Sequence, residues 1–531
     1  MATEFPRIDA ATLKARLMGD EEIALLDVRE EGVFAGNHIL AASNAPMSRF
    51  ERLVPALLPR RSVPIVLADD DERLAARAGA ILAANGYGDV AILKGGVPAW
   101  GAAGFELFSG VFVPSKAFGE FVEITCHTPH IDAHELHRRR AAGEDIVLLD
   151  SRPFDEYSWI CIPGARDCPG GEMVLRAPAA ITSDDALVVV HCGGRTRSII
   201  GAQTLIDAGL PNRVVSLKDG TQGWHLSGYE VARGAADVVP LPPDEARDWS
   251  KQAAERLAGR FDIEVIDAAT LARFEAEAGA RTLYRFDVRD PREYRAGHRP
   301  GFLSAPGGQL VQATDTFIAV RQARIVLADS DGVRARATAS WLARMGFDHL
   351  YVLDADTSAA ALEAGDAPEA VLGLASAAPA QVTPAELADL VAGGSAVVVD
   401  VATSRQFRAG HIPGAWFAVR GRLSDDAGKL PRAPLYVLTS PDSIVARLAS
   451  AELETATGAP VKVLAGGTRA WQAEGRPLES GDERMASEPN DVLLKPFERK
   501  SAQEDAMREY LSWEVGLVEQ VRRDGTIRFR L

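Results

Sequence analysis

The stretch VVVHCGGRTRSII, residues 188–200, decides the fold of this chain and points to its chemistry. A run of valines, typical of a buried strand, leads directly into Cys192, and a helical pattern follows from Ser198. The loop between them carries two glycines and two arginines. A thiol at this position is expected to meet backbone N–H groups, the positive end of a helix and two guanidinium groups. All three favour the thiolate, which is the reactive form of cysteine.

The pattern of a strand followed by such a loop occurs four times in the sequence. In each copy an earlier strand ends in aspartate, and these aspartates are Asp27, Asp150, Asp287 and Asp400. Cys192 follows Asp150 by 42 residues, and the first and third copies keep that spacing, whereas the fourth is two residues shorter. The residues at the position of Cys192 in the first, third and fourth copies are Asp69, Asp329 and Ser440. Only the second copy therefore has a cysteine at this point.

Short apolar strands that alternate with helical patterns predict an α/β fold with mostly parallel sheets flanked by helices. We predict four tandem domains, at residues 1–110, 125–236, 260–366 and 379–480, and a C-terminal tail at 490–531. The tail has a capping-box pattern that starts at Ser501, an apolar stripe with helical spacing, and a short strand from Thr526 to Phe529. We interpret the stripe as packing on a neighbouring domain, with a dimer contact as the alternative.

Composition limits the classes of function. The chain has 531 residues, of which 47% are hydrophobic and 25% charged, so we expect several globular domains. The net charge of −16, without a basic block, argues against nucleic-acid binding, and no apolar run is long enough for a membrane span. The N-terminus lacks a secretory pattern, and four cysteines are too few for a disulfide scaffold. These features predict a cytoplasmic protein without nucleic-acid or membrane partners.

Taken together, these features resemble the rhodanese superfamily of sulfurtransferases. The resemblance rests on the Asp-x-Arg strand ends, the Gly-His-Ile-Pro-Gly-Ala turn at 410–415, the cysteine between strand and loop, and the Lys-Asp-Gly element at 218–220 with its tryptophan. It implies four rhodanese-like domains in which Cys192 is the nucleophile and carries a persulfide. It also implies a substrate-binding set formed by Arg152, Gly193, Gly194, Arg195, Thr196, Arg197 and Ser198.

The expected activity moves sulfane sulfur from thiosulfate or a related donor to cyanide or to a thiol, without a cofactor or a metal. Arg195 and Arg197 suit an oxyanion donor because planar guanidinium groups match its oxygens. The partners implied are a small-molecule donor and a thiol or protein acceptor. A carboxylate cannot form a persulfide, and a serine without a base is a poor nucleophile. We therefore expect the first, third and fourth domains to be inactive.

Several alternatives stay open on the sequence alone. Arg152 has either a substrate role or a structural role, paired with an acid inside its own domain. Cys126, Cys161 and Cys168 fit ordinary free thiols better than a sulfur relay or a resolving disulfide. A persulfide carrier or partner-binding scaffold is one rival function. A cysteine phosphatase is less favoured, because its loop needs five residues between cysteine and arginine and four separate Cys192 from Arg197. The sequence leaves a homodimer open.

Overall fold

The computed structural model describes residues 4–181, 183–355 and 362–531 of the chain. The chain forms two compact units. One unit comprises residues 1–13, 24–111 and 369–494, and holds the first and fourth repeats. The other comprises residues 14–23, 112–368 and 495–531, and holds the second and third repeats with the tail. Four parallel sheets flanked by helices are present among the described residues, so the predicted fold class is confirmed.

The second repeat carries Cys192. Its parallel sheet has the strand order His130–Ile131, Val214–Leu217, Leu187–His191, Ile146–Asp150 and Arg166–Asp167. Its helices are Val113–Cys126, Ala133–Ala141, Phe154–Trp159, Met173–Ala180, Thr196–Asp207 and Gly220–Leu226, with a 3₁₀ turn at Gly170–Glu172. The strand Leu187–His191 is buried along its whole length. Leu187 and Val189 pack in one apolar cluster and Val188 and Val190 in another. Both faces of this sheet are therefore covered, as expected for a parallel sheet.

The third repeat has the same architecture. Its sheet has the order Glu264–Ile266, Leu350–Leu353, Arg324–Ala328, Leu283–Asp287 and Leu303–Ser304. Its helices are Asp248–Gly259, Ala268–Ala276, Pro291–Ala296, Gly307–Gln312, Thr314–Phe317 and Arg334–Arg344, with a 3₁₀ turn at Asp244–Ala246 and a short strand at Val320–Arg321.

The other unit repeats this arrangement twice. The first repeat has the strand order Arg7–Ile8, Val90–Leu93, Ile65–Ala68, Ile23–Asp27 and Ser43–Asn44, and the helices Ala10–Leu17, Glu31–Phe34, Phe50–Leu57, Arg73–Ala84 and Gly96–Ala102. The fourth has the order Gln381–Val382, Val461–Leu464, Tyr436–Thr439, Val397–Asp400 and Trp416–Phe417. Its helices are Pro384–Ala392, Ser404–Ala409, Leu423–Asp426, Ile444–Thr457 and Gly467–Ala473, with 3₁₀ turns at Arg420–Arg422 and Ala427–Lys429.

The C-terminal tail differs from the prediction in two ways. After a 3₁₀ turn at Pro496–Glu498 it forms two helices, Gln503–Val515 and Leu517–Asp524, and the first has no side-chain cap, so the predicted capping box is wrong. The predicted strand from Thr526 to Phe529 is also wrong. There the chain turns because the backbone N–H of Thr526 bonds to the Asp524 carboxylate at 3.0 Å.

Residues of the apolar stripe are buried, and both tail helices contact the helix Val113–Cys126; the buried members include Met507, Leu517, Val518 and Val521. The ring centroids of Phe529 and Phe118 lie 5.2 Å apart, and the Phe529 and Phe121 centroids lie 5.3 Å apart. Both partners of Phe529 are on the helix Val113–Cys126 of the same unit. The tail therefore packs on a neighbouring domain. No helix among the described residues is long and apolar enough to cross a membrane.

Candidate active site

Cys192 lies between the carboxyl end of its strand and the helix Thr196–Asp207. The residue is 2% exposed, and its thiol is free. Its carbonyl oxygen accepts the backbone N–H of Thr221 at 2.8 Å and the hydroxyl of that residue at 3.0 Å. A Cβ on Gly220, whose φ is 53°, would overlap the same carbonyl oxygen. The Lys-Asp-Gly element is thus the clamp that holds the start of the active loop, which we define as residues 192–198.

The equivalent loops of the cysteine-less repeats each hold a built-in acceptor. In the first repeat the Asp69 carboxylate accepts the backbone N–H groups of Glu72 at 2.7 Å, Leu74 at 2.7 Å and Ala75 at 3.1 Å. These donors lie three, five and six residues after Asp69. Such a concave set of amides is a typical anion-binding nest. The loop of the first repeat therefore points its amides at the side chain of its own first residue.

The third and fourth repeats have the same geometry. The Asp329 carboxylate accepts the N–H groups of Gly332 and Ala335, both at 2.8 Å. The Ser440 hydroxyl oxygen accepts the N–H of Ala446 at 3.3 Å. The donors in the third repeat lie three and six residues after Asp329, and the donor in the fourth lies six residues after Ser440. In each of these loops, at least one backbone N–H group therefore points at the side chain of the first residue, whichever residue type stands there.

In the active loop the equivalent amides belong to Arg195, Arg197 and Ser198. Among the described residues, none accepts a hydrogen bond from these three N–H groups. Since a buried amide rarely stays without an acceptor, free donors at these positions indicate a site for an anion. The side chain of Ser198 does not compete for them, because its hydroxyl donates to the carbonyl of Arg195 at 2.6 Å.

Arg195 is held by carboxylates. Its guanidinium donates to both oxygens of Glu120, at 2.7 and 2.9 Å, to Glu123, and to Asp219 at 3.2 Å. Burial lowers the pKa of Arg195, but these carboxylates outweigh burial and raise it above its ordinary value. Arg195 therefore joins the active loop to the helix Val113–Cys126, and its charge is matched inside the protein.

The positive charge of Arg197 is also compensated by a carboxylate. It donates to Glu156 at 2.8 Å and to the amide oxygen of Gln309 at 3.4 Å. Burial opposes ionisation of Glu156, yet Arg197 and Lys495 beside it lower the pKa of that carboxyl below its ordinary value. Glu156 and Arg197 therefore form an ionised pair, in which Glu156 holds the Arg197 guanidinium beside the active loop.

Arg152 forms an ion pair inside its own strand end. Its guanidinium donates to the buried carboxylate of Asp150 at 2.6 Å and to the carbonyl of Ile160. The Asp-x-Arg elements of the first and third repeats form the same pair, each at 2.6 Å. A Cβ on Gly193 would lie 3.9 Å from the Arg152 side chain, so this pair lies directly under the active loop.

The other cysteines have high pKa values. Burial raises the pKa of Cys161 to about 11, and it raises the pKa of Cys168 still further. The pKa of Cys126 is also raised by burial. Thiols of this kind stay protonated at neutral pH and react slowly.

Two helices that the sequence analysis did not connect with the active loop pack directly on it. A Cβ on Gly194 would lie 3.1 Å from the ring of Tyr510 and 3.5 Å from Glu514, both on the tail helix Gln503–Val515. The hydroxyl of Thr196 lies 3.4 Å from Glu514. The other neighbour is the helix Val113–Cys126, through Glu120 and Glu123. Its two acids at i and i+3 were a visible signal, but nothing in the local pattern indicated which arginine they would bind.

The fold and this site define a class of protein. The model of the rhodanese-like domain matches residues 9–103, 132–227, 270–361 and 383–474. The chain therefore belongs to the rhodanese-like family, and the resemblance stated from the sequence is confirmed.

Individual relatives agree with this assignment. The crystal structure of a thiosulfate sulfurtransferase from Pseudomonas aeruginosa is 43% identical and matches with a TM-score of 0.95, covering 99% of this chain and 100% of that one. The putative thiosulfate sulfurtransferase SseB of Mycobacterium tuberculosis is 29% identical over 213 residues, 35% of this chain and 72% of SseB. The HTH-type transcriptional regulator Rv0324 of the same species is 38% identical over 101 residues, and the chain covers 43% of that regulator. The protein is thus similar to a thiosulfate sulfurtransferase over 99% of its length.

Proposed function

We propose that this protein transfers sulfane sulfur from thiosulfate or a related donor to cyanide or a thiol acceptor, through a persulfide on Cys192. The observation that carries the proposal is the set of three backbone N–H groups in the active loop that find no acceptor in the described part of the chain. Their equivalents in the first repeat bind the Asp69 carboxylate. In the active loop they are available for the negative charge of a thiolate or a persulfide.

The proposed cycle has two displacements. The Cys192 thiolate attacks the outer sulfur of thiosulfate, a new S–S bond forms, and the electron pair of the donor's S–S bond leaves with sulfite. Cyanide or an acceptor thiolate then attacks the outer sulfur of the persulfide, and the electron pair of that bond returns to Cys192. Negative charge stays at the loop throughout, which is the situation that preorganised amides stabilise best.

The members of the predicted substrate-binding set have different roles in this proposal. The amides of Arg195, Arg197 and Ser198 bind the sulfur, while Gly193 and Gly194 keep the loop free of side chains. The side chains of Arg195 and Arg197 hold the loop in shape through their carboxylate partners. Arg152 supports the loop from below. The hydroxyl of Thr196 lies next to the tail helix.

We propose that the other three repeats do not transfer sulfur. In the first and third, a carboxylate occupies the place of the thiolate and takes the loop amides itself. In the fourth, the Ser440 hydroxyl takes one of them. A carboxylate cannot accept sulfane sulfur, and a serine needs a general base to be nucleophilic.

The test of this function is intact-protein mass spectrometry after thiosulfate treatment, together with a thiosulfate:cyanide assay. Wild-type protein should gain about 32 Da, one sulfur atom, on the peptide that contains Cys192. Cys192→Ala should lose the mass gain and the turnover, and the matched control Cys161→Ala should keep both. Sulfur on a different cysteine, or equal turnover by Cys192→Ala, would refute the proposal.

The rival functions are separated by the same proteins. A sulfur carrier without efficient turnover would gain the sulfur atom but release little thiocyanate. A phosphatase would hydrolyse p-nitrophenyl phosphate. The structure favours sulfur transfer over phosphatase chemistry because Arg197, the arginine nearest to the required spacing, is bound by Glu156 at 2.8 Å.

A further inference from the structure

Lys116 is a buried cation beside the active loop, and it lies outside all four segments that match the family. It is on the helix Val113–Cys126 and is 5% exposed. Its ammonium nitrogen lies 4.4 Å from the ring centroid of Tyr510 and 4.7 Å from the ring of Trp513, both on the tail helix. Lys116 forms no ion pair with any residue that the structure describes. Burial lowers its pKa to about 8, so the ammonium form is present at neutral pH.

The helix that carries Lys116 touches the active loop closely. One turn after Lys116, a Cβ on Gly119 would lie 2.9 Å from the Cα of Thr196. Residues three apart lie on the same face of a helix, so Lys116 is on the face that Gly119 presents to the loop. Tyr510 lies next to both elements, since its ring centroid is 4.4 Å from the Lys116 ammonium nitrogen and a Cβ on Gly194 would lie 3.1 Å from the ring.

Glu514 is an acid whose charge acts on Lys116, but it forms no ion pair with the ammonium group. It is 1% exposed, and one of its oxygens accepts the hydroxyl of Tyr510 at 2.7 Å. Its other oxygen is buried and has no hydrogen-bond partner. Burial raises the pKa of Glu514. By contrast, Arg195 and Arg197 are matched by carboxylates at hydrogen-bond distance.

We propose that Lys116 is a substrate-binding residue for the charged end of an anionic sulfur donor. The outer sulfur of the donor reaches Cys192, and its oxyanion end lies against the Lys116 ammonium group. The ring of Tyr510, on the tail helix, lies next to both the ammonium group and the active loop. A buried cation without an ionic partner is costly to maintain, and an anionic ligand supplies that partner. This inference rests on the proposed function for the identity of the donor, but the preference for anions follows from the charges alone.

The test compares the alkylation of Cys192 by iodoacetate, an anion, with alkylation by neutral iodoacetamide. The ratio of the two rates cancels changes in thiol reactivity and reports attraction of the anion. We expect Lys116→Met to lower this ratio about tenfold, as one unit charge acting over a short, partly buried distance should. Lys116→Arg should keep most of it. The matched control is Lys251→Met, which removes an exposed lysine from another helix of the same unit.

A ratio that Lys116→Met leaves within twofold of wild type would overturn the proposal, and so would a wild-type Cys192 that neither reagent reaches. If Lys116→Met fails to fold, protection of the wild-type protein replaces it. Sulfate at constant ionic strength should slow alkylation by iodoacetamide, and absence of protection would overturn the proposal. Wild type without thiosulfate turnover but with a Lys116-dependent ratio would refute the proposed function alone. Normal turnover with an unchanged Michaelis constant for thiosulfate in Lys116→Met would refute this inference alone.

Discussion

Replacement of Arg195 by methionine tests whether this arginine holds the active loop or binds the donor. In the structure its guanidinium makes hydrogen bonds to three carboxylates, and Glu120 is bound through both oxygens. The side chains of Arg195 and Glu120 are 8% and 3% exposed. Removal of one partner of a buried, hydrogen-bonded pair costs about 3–5 kcal/mol, because the other charge stays buried without compensation. We therefore expect Arg195→Met to lower the free energy of unfolding by this amount at pH 8.

The pH dependence of this loss has a definite sign. Burial already raises the pKa of Glu120, even with Arg195 present. Without the arginine that pKa should rise further, so Glu120 takes up a proton in the folded variant as the pH falls. A group whose pKa is raised by folding favours the folded state at low pH and loses that contribution as the pH rises through its folded pKa. The deficit of Arg195→Met should therefore be smaller at pH 5 than at pH 8.

Urea unfolding followed by circular dichroism is the assay. The matched control is Arg166→Met, because Arg166 pairs with Asp237 at 3.3 Å at an exposed site where an ion pair contributes less than about 1 kcal/mol. The double variant Arg195→Met/Glu120→Gln should recover part of the loss. An Arg195→Met protein that loses less than about 1 kcal/mol, but needs far more thiosulfate for half-maximal rate, would refute the reasoning and identify a donor-binding arginine.

Gly220, Asp400 and Cys161 each allow a further test. Gly220→Ala should reduce alkylation of Cys192 and lower the thermal midpoint strongly, because the new Cβ would overlap the Cys192 carbonyl oxygen. In the control Gly228→Ala, at a φ of 83° with nothing within 4 Å of the new Cβ, the free energy of unfolding should fall by only about 1 kcal/mol. Equal thermal midpoints for the two variants would contradict this prediction. Asp400 is buried and has no arginine at the position that pairs with this aspartate in the other repeats, and burial raises its pKa to about 7. Its contribution to stability is therefore fully present below its unfolded pKa of about 4 and is lost as the pH rises through 7. Asp400→Asn should therefore flatten the pH dependence of urea midpoints between pH 5 and 8, and parallel curves for both proteins would count against it. Iodoacetamide at pH 8 should label Cys161 much more slowly than an unstructured cysteine peptide, since burial raises the pKa of that thiol to about 11, and equal rates would show that the thiol is not held in this environment.

The elements that the sequence predicted well are those fixed by neighbours in the chain. The valine run and the helical pattern around Cys192 predicted the strand Leu187–His191 and the helix Thr196–Asp207. The alternation of short apolar strands with helical patterns predicted parallel sheets, and the strands that end at Asp150 and His191 are paired in parallel. The strand predicted at Thr526 failed because β-branched and aromatic residues form a strand only where a sheet edge is available to them.

The sequence by itself determined the four repeats, the parallel α/β fold and the place of the proposed nucleophile at the end of its strand, because strand alternation, helix periodicity and loop glycines act over a few residues. Only the tertiary structure decided which groups surround that nucleophile. Glu120 binds Arg195 across 75 positions, and Glu514 meets Thr196 across 318. Such contacts depend on how helices pack after the sheets have formed, and a charged residue in a local pattern does not say which opposite charge it will meet. For the same reason Lys116, an ordinary lysine in the sequence, becomes a buried cation against the rings of Tyr510 and Trp513 only in the folded chain.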